Sequence, residues 1–341
     1  MSRMYTHGFY LPLLLLAVVN AGCGPAAEQE VVVYIALDRE FSEPIFEQFT
    51  RQTGIQVRAK YDTESTKTVG LTNAILAERN RPRCDVFWNN EILHTLRLEK
   101  EGLLDAYLSP AAADYPPEYR SAKGAWHGFA ARARVLIVNT RLVKDEDRPN
   151  SIHDLADPAW QGKAGIAKPL FGTTATHAAC LFAHWGDSRA KQFFRRLKKN
   201  VKIMSGNKQV ALAVASGELA FGLTDTDDAI IEIEQGRPVM IVYPDQGDHG
   251  IGTLFIPNTV ARIQGSQNTG HSRRLIDYLL SPEVESRLAQ GRSAQIPLGR
   301  HVNVQHRIKT PRDVKAMRID FAAAAAKWQV AAKFLREEFM R

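Results

Sequence analysis

Apolar and polar residues along this chain fall into blocks with two different periods. Val31-Val32-Val33-Tyr34-Ile35-Ala36 is a continuous apolar run of strand length, and Glu43 to Gln52 then places Ile45, Phe46 and Phe49 on one side of a helix that Gly54 ends. Ile55-Gln56-Val57 opens a second strand. Val69, Leu71, Ile75 and Leu76 mark a second helix, and Asp85-Val86-Phe87-Trp88 a third strand. The rhythm resumes with strands at Ala133 to Val138, Gly165 to Ala167, Leu219 to Leu223 and Val239 to Val242, separated by helical stretches. Strand and helix in alternation predict an α/β protein, and the two runs fit two sheets better than one. Phe321 to Arg341, an alanine run followed by Trp328, Val330, Phe334, Leu335 and Phe339, predicts a helix docked on the body.

The N-terminus departs from this pattern. An apolar stretch from Leu11 to Val19 stands behind Arg3, and the small pair Ala21-Gly22 precedes Cys23. Residues 1–22 read as an export signal, too short to span a bilayer. The Ala-Gly-Cys ending resembles a bacterial lipoprotein cleavage site, which makes Cys23 the lipidated first residue and the only membrane attachment. Asn20 stands where such sites usually have leucine, so an ordinary signal peptide is the alternative.

The composition, 341 residues with 45% hydrophobic and 24% charged, excludes disordered, collagen-like and multi-span membrane classes. Forty-four Lys and Arg against 37 Asp and Glu give +7, and loss of Arg3 with the signal leaves +6. That excess is spread along the chain, and its densest run, Arg195-Arg196-Leu197-Lys198-Lys199, reads as a solvated helix face rather than a nucleic-acid site. Cys84 and Cys180 lie in apolar runs and read as buried thiols, not a disulfide, and no CxxC pair points to zinc.

Enzyme signatures are missing from the sequence: it holds no GxSxG elbow, HExxH pair, P-loop or EF-hand loop, and Gly247 to Gly252 does not fit a dinucleotide fingerprint. His177 and His184 without a third ligand read as structural. What stands out is a polar cluster directly after each of four predicted elements: Asp38-Arg39-Glu40, Asn89-Asn90-Glu91, Gly172-Thr173-Thr174-Ala175-Thr176 and Thr224-Asp225-Thr226-Asp227-Asp228. The carboxyl edge of an α/β sheet is where ligands bind. Helix capping explains each cluster singly. It does not explain Asp225, Asp227 and Asp228 together, because adjacent like charges need a cation or donors to offset them.

The start Val-Tyr-Ile-Ala-Leu-Asp, the block Phe49 to Val57, Cys84 to Trp88, Ser216-Gly217-Glu218, Gly222 to Asp225 and Ile276 to Glu283 occur in an order that resembles the periplasmic ferric-iron-binding proteins of ABC importers. The resemblance covers Val31 to about Arg300 and implies a two-lobe α/β periplasmic-binding-protein fold with a hinge and an interlobe ligand cleft. Lobe one is expected at 31–129 plus 258–310, lobe two at 130–257, and a C-terminal helical tail at 311–341. The implied function is a monomeric, non-enzymatic carrier in the periplasm or on the cell-envelope face, serving an ABC permease and its ATPase.

The family's iron ligands, a His, a Glu and a Tyr pair, correspond here to Asp38, Asn90, and Asp227 with Asp228, while Glu91 lies beside Asn90. The family's anion cradle corresponds to Gly172, Thr173 and Thr174, with Asn207 and Asp225 as further polar positions. Two cargoes follow. In the leading one, Asp38, Glu91, Asp227 and Asp228 bind Fe3+ with a synergistic anion. In the other, Gly172 to Thr174, Thr66 in the Thr63 to Lys67 loop, and Arg132 or Arg134 hold the phosphate or phosphonate of an organic solute without metal, the aspartates accepting from hydroxyls or an amine. Arg132 and Arg134 share one strand face, where ligand binding and salt bridging are equally open.

Overall fold

The computed structural model describes residues 1–2, 4, 29–62, 69–302, 304–305 and 307–340. Most of the expected export signal, Cys23, and the Thr63 to Lys67 loop with Thr66 lie outside the described residues. The first stretch runs β1 (Glu30–Ile35), α1 (Arg39–Thr53), β2 (Gln56–Tyr61), α2 (Val69–Ala77), β3 (Val86–Asn89), α3 (Leu93–Lys100) and β4 (Leu104–Asp105). A long strand, β5 (His127–Asn139), then leads to β6 (Ala164–Ala167), α4 (Gly172–Trp185), α5 (Asp187–Asn200), β7 (Lys202–Met204), α6 (Asn207–Ser216), β8 (Phe221–Asp225), α7 (Thr226–Glu234) and β9 (Val239–Val242). The chain ends with β10 (Phe255–Ile263), α8 (Thr269–Leu279), α9 (Pro282–Gln290) and α10 (Phe321–Phe339).

β1 pairs in parallel with β2 and β3, and β6 with β7 and β8, as helical crossovers require. β5 joins the two groups. Its residues from His127 to Ala133 pair with β10, which itself pairs with β3 and β4, whereas Arg134 to Val138 pair with β8 and Leu136 to Asn139 with β9. The strand therefore changes sheet between Ala133 and Arg134, giving the order β2-β1-β3-β10-β5-β8-β6-β7. Both faces are covered: Leu136 and Val138 of β5 join an apolar layer with Phe87, Ile166 and Phe182, while Val135 and Ile137 join another with Ile35, Trp88 and Val260.

Several expectations are refined here. β5 is twice as long as its apolar core suggests, because His127 and Arg132 interrupt the pattern but are buried through partners. Trp88 is a core residue that meets Phe46 and Phe129 edge-on or tilted at 5.6 and 5.3 Å, not a platform for ligand. Cys84 and Cys180 are free and buried, and burial pushes both thiols up in pKa. α10 docks on α4, α5 and α3 through Phe182–Phe334, Phe194–Phe339 and His94–Trp328 ring contacts at 5.9, 6.4 and 4.5 Å. Val330 is the exception in that helix and faces solvent.

Ala130, in β5, has φ of +43°, a left-handed conformation that strains a residue with a Cβ. Its N–H donates to Glu285 Oε1 at 2.7 Å, and that carboxylate also accepts from Leu298 and Gly299 N–H at 2.9 and 2.8 Å. A buried anion thus holds the strained residue three positions before the strand changes sheet.

Candidate functional site

The carboxyl ends of β1, β3, β6, β7 and β8 converge on one cleft open to solvent. Four helices start at its rim. Asp38 occupies the N-cap position of α1 and Asp225 that of α7, yet neither makes a side-chain cap bond. α4 starts from Phe171 and α6 from Gly206, also without a side-chain cap. The first residues of both helices, Gly172 to Thr174 of α4 and Asn207 and Lys208 of α6, line the cleft, and helix N-terminal ends favour negative charge. Gly172 has φ of +55° and a Cβ there would meet nothing within 4 Å, so glycine serves the backbone conformation rather than space.

Beneath the floor lies Arg134, fully buried. Its Nη1 donates to Asp225 Oδ1 at 2.7 Å, Thr173 Oγ1 at 3.2 Å and Asn207 Oδ1 at 3.1 Å, and its Nη2 to Thr174 Oγ1 at 3.2 Å. Asp225 Oδ2 accepts from Thr173 Oγ1 at 2.5 Å and Asn207 Nδ2 at 3.0 Å. The residues expected to cradle an anion through their side chains, Thr173, Thr174, Asn207 and Asp225, are therefore joined to one another around a guanidinium. Arg134 ties the start of α4 to the start of α6 and the end of β8.

Arg132, two residues earlier on the same face, does reach the cleft. Its Nε stands 3.6 Å from Asp227 Oδ2, and its Nη2 donates to Asn258 Oδ1 at 3.4 Å. Burial alone pulls its pKa down, but Asp227, Asp225, Asp38 and Asp228 outweigh burial and hold it above the ordinary arginine value. Both arginines thus pair with a carboxylate at the cleft, Arg134 with Asp225 and Arg132 with Asp227. Asp225, Asp227 and Asp228 offer ligand atoms within 4.8 Å of one another.

Glu91 does not join these carboxylates. It is fully buried, its Oε1 accepting from Asn89 Nδ2 at 2.8 Å and His94 N–H at 2.9 Å, its Oε2 from Leu93 N–H at 2.6 Å and Thr176 Oγ1 at 2.8 Å. The carboxylate caps α3 and pins α4 to it, and its expected role as a metal ligand has no open oxygen to rest on. Asp38 and Asn90 do line the cleft. Sequence reasoning left out Lys168, which follows β6, and set aside Lys208 of α6, both cleft-lining cations. Lys208 Nζ lies 3.8 Å from Glu40 of α1, which also pairs with Arg292 at 3.3 Å. A lone lysine one residue past a four-residue strand carries no pattern that would have singled it out.

His177 is buried in α4. Burial first, and Arg134 second, lower its pKa to about 3, so it is neutral and structural. An unfolded imidazole binds a proton near pH 6.5 while the folded one does not. Its stabilising effect is thus complete above pH 6.5 and lost as pH falls toward 3. Chemical denaturation across this window should show up to about 5 kcal/mol lost through this group, and His177→Gln should flatten the slope; an unchanged slope would exclude it.

Two α/β halves joined by a strand that serves both, with a charged cleft at their junction, define a protein that encloses a small solute. The chain belongs to the bacterial extracellular solute-binding protein family, whose match spans residues 94–326. It is similar to the major ferric iron-binding protein of Neisseria meningitidis, 26% identical over 301 residues, 84% of this chain and 86% of that protein. It is also 25% identical over 291 residues to a putative 2-aminoethylphosphonate-binding periplasmic protein of Salmonella typhi, 82% of each chain. Its fold matches that of iron-bound HitA from Pseudomonas aeruginosa with a TM-score of 0.82 at 24% identity, covering 91% of this chain and 99% of that one.

Proposed function

We propose that this protein is the solute-capturing subunit of an ABC-type importer, delivering its cargo to a membrane permease and ATPase, and that the cargo is an organic phosphate or phosphonate bearing hydroxyls or an amine. The observation that carries this reading is the pairing of charges in the cleft. Of the three clustered carboxylates, Asp225 is held by Arg134 at 2.7 Å and Asp227 faces Arg132 at 3.6 Å. A trivalent cation placed there would meet two buried guanidiniums, whereas a phosphoryl group can use Arg132, Lys168 and the N–H groups of α4 and α6. Asp38 and Asp228, with Asn90, would then accept from the cargo's hydroxyls or ammonium. Among the described residues no tyrosine or histidine lines the cleft.

Capture requires the halves to move. We place the hinge where β5 passes from β10 to β8 and where the chain enters β10, with lobe one at 31–129 plus 258–310 and lobe two at 130–257, and 311–341 as the tail. A second cargo, ferric iron with an anion, is favoured by the carboxylate oxygens lying within 4.8 Å of one another, a hard-donor set.

Native mass spectrometry with elemental analysis for iron and phosphorus, on protein from its native compartment, separates the two. In parallel, 2-aminoethylphosphonate and a hexose phosphate should raise the melting temperature, by about 2.7 kcal/mol of stabilisation at a hundredfold excess over Kd, and ferric citrate should not. Stoichiometric iron without organic phosphorus would reverse the assignment.

A further inference from the structure

One side chain joins the cleft to the strand crossing on which the two halves meet. In the ladder between β5 and β10, Ile256 pairs with Arg132 and Asn258 with Phe129, so β5 takes three steps where β10 takes two. The extra residue is absorbed as a bulge at Ala130, in its left-handed conformation, and Ala131 turns to Ile296, each N–H donating to the other's carbonyl at 2.7 Å. Asn258 is fully buried against that bulge. Its Nδ2 donates to the Ala130 carbonyl and to Gln295 Oε1, the latter at 2.9 Å, and its Oδ1 accepts from Trp88 Nε1 and from Arg132 Nη2 at 3.4 Å each. Two donors and two accepting positions are all that a primary amide has, so its partners fix which end faces Arg132.

We propose that Asn258 is a positioning residue for cargo capture, holding the Arg132 guanidinium where it meets the cargo's phosphoryl group; this rests on the organic-phosphate reading of the cleft. Arg132 is gripped at two points, at Nη2 by Asn258 of β10 and at Nε by Asp227 of α7, 3.6 Å away. Immobilising a long arginine side chain costs conformational entropy, and a guanidinium already held spares the cargo that cost. The chemistry of the holding group matters. A neutral amide oxygen accepts from the guanidinium without cancelling its charge, which stays available to an anion, whereas a carboxylate at this position would add a second buried ion pair. Neither Asn258 nor Gln295 lines the cleft, so both act through Arg132, which does.

The test is a double-mutant cycle read by calorimetric titration with 2-aminoethylphosphonate and with a hexose phosphate. Asn258→Leu should weaken binding at least about fivefold in the otherwise unchanged chain, and less than about twofold in a chain that carries Arg132→Gln. Equal losses in the two backgrounds would overturn the proposal, because a residue that only supports the fold weakens binding whether or not Arg132 is present. Gln295→Met leaves Asn258 in place but removes the acceptor that orients its amide, and it should show the same dependence on Arg132 even if Asn258→Leu does not fold. The placement itself is read without cargo. The Arg132 Nε–H resonance, identified by its loss in Arg132→Gln, should shift and broaden in either variant, and an unchanged resonance would also overturn the proposal. If the unchanged chain bound neither compound, the organic-phosphate reading would fall and the capture role with it, while a resonance that still responds would locate the error in the cargo and not in the placement of the guanidinium.

Discussion

Arg134→Met is expected to lower the unfolding free energy by roughly 3–5 kcal/mol and to abolish cargo binding. The guanidinium has four hydrogen-bond partners and no exposed surface, and its removal leaves Asp225 as a buried carboxylate with only Thr173 and Asn207 to offset its charge. The same bonds set the distance between the first turns of α4 and α6, so the N–H groups of those turns would lose their mutual position. Arg134→Lys keeps the charge but not the fork that reaches Thr173 and Thr174 on one side and Asp225 on the other, and should recover only part of the stability. Denaturant titration and cargo-induced thermal shift measure the two effects. A loss under about 1 kcal/mol would mean that the site relaxes around the missing group.

Asp227→Ala combined with Asp228→Ala should remove the cargo-induced thermal shift altogether, because it takes away two carboxylate acceptors that line the cleft. An unchanged shift would exclude both residues from binding. Arg132→Gln adds a sharper contrast. If the cargo is an organic phosphate, losing the cleft's buried cation should weaken its binding at least tenfold, about 1.4 kcal/mol. If the cargo is ferric iron, the same change removes a positive neighbour 3.6 Å from Asp227 and should strengthen metal uptake. The two readings predict opposite signs for one substitution.

The fold was legible in the sequence where apolar runs are long. β1, β3 and β8, and the polar residues that follow them, could be placed because a buried parallel strand is continuously apolar and its carboxyl end is where polarity returns. The two-residue β4 and three-residue β7 have too few positions to show a period. Lys168 follows β6, a strand that could be read, but a single lysine after a strand carries no pattern of its own. Glu91 shows the limit of position after a strand: Asn90 beside it faces the cleft, while the glutamate turns inward to four donors, one of them 85 residues away in sequence. Arg134 was read as a group that either grips ligand or bridges at the surface, because a fully buried guanidinium has no linear signature. Its partners come from three separate elements.

The position of α10 has a consequence for the order in which the molecule can assemble. α4, whose first turn forms one wall of the cleft, has its opposite, apolar face covered by Phe334 and Leu335 near the end of the chain. Until those residues arrive, Phe182 and its neighbours remain open to water and the helix lacks the packing that fixes it. A ribosome or a translocation channel that still holds α10 therefore holds a chain without a finished cleft, and a solute can be captured only after that helix has docked.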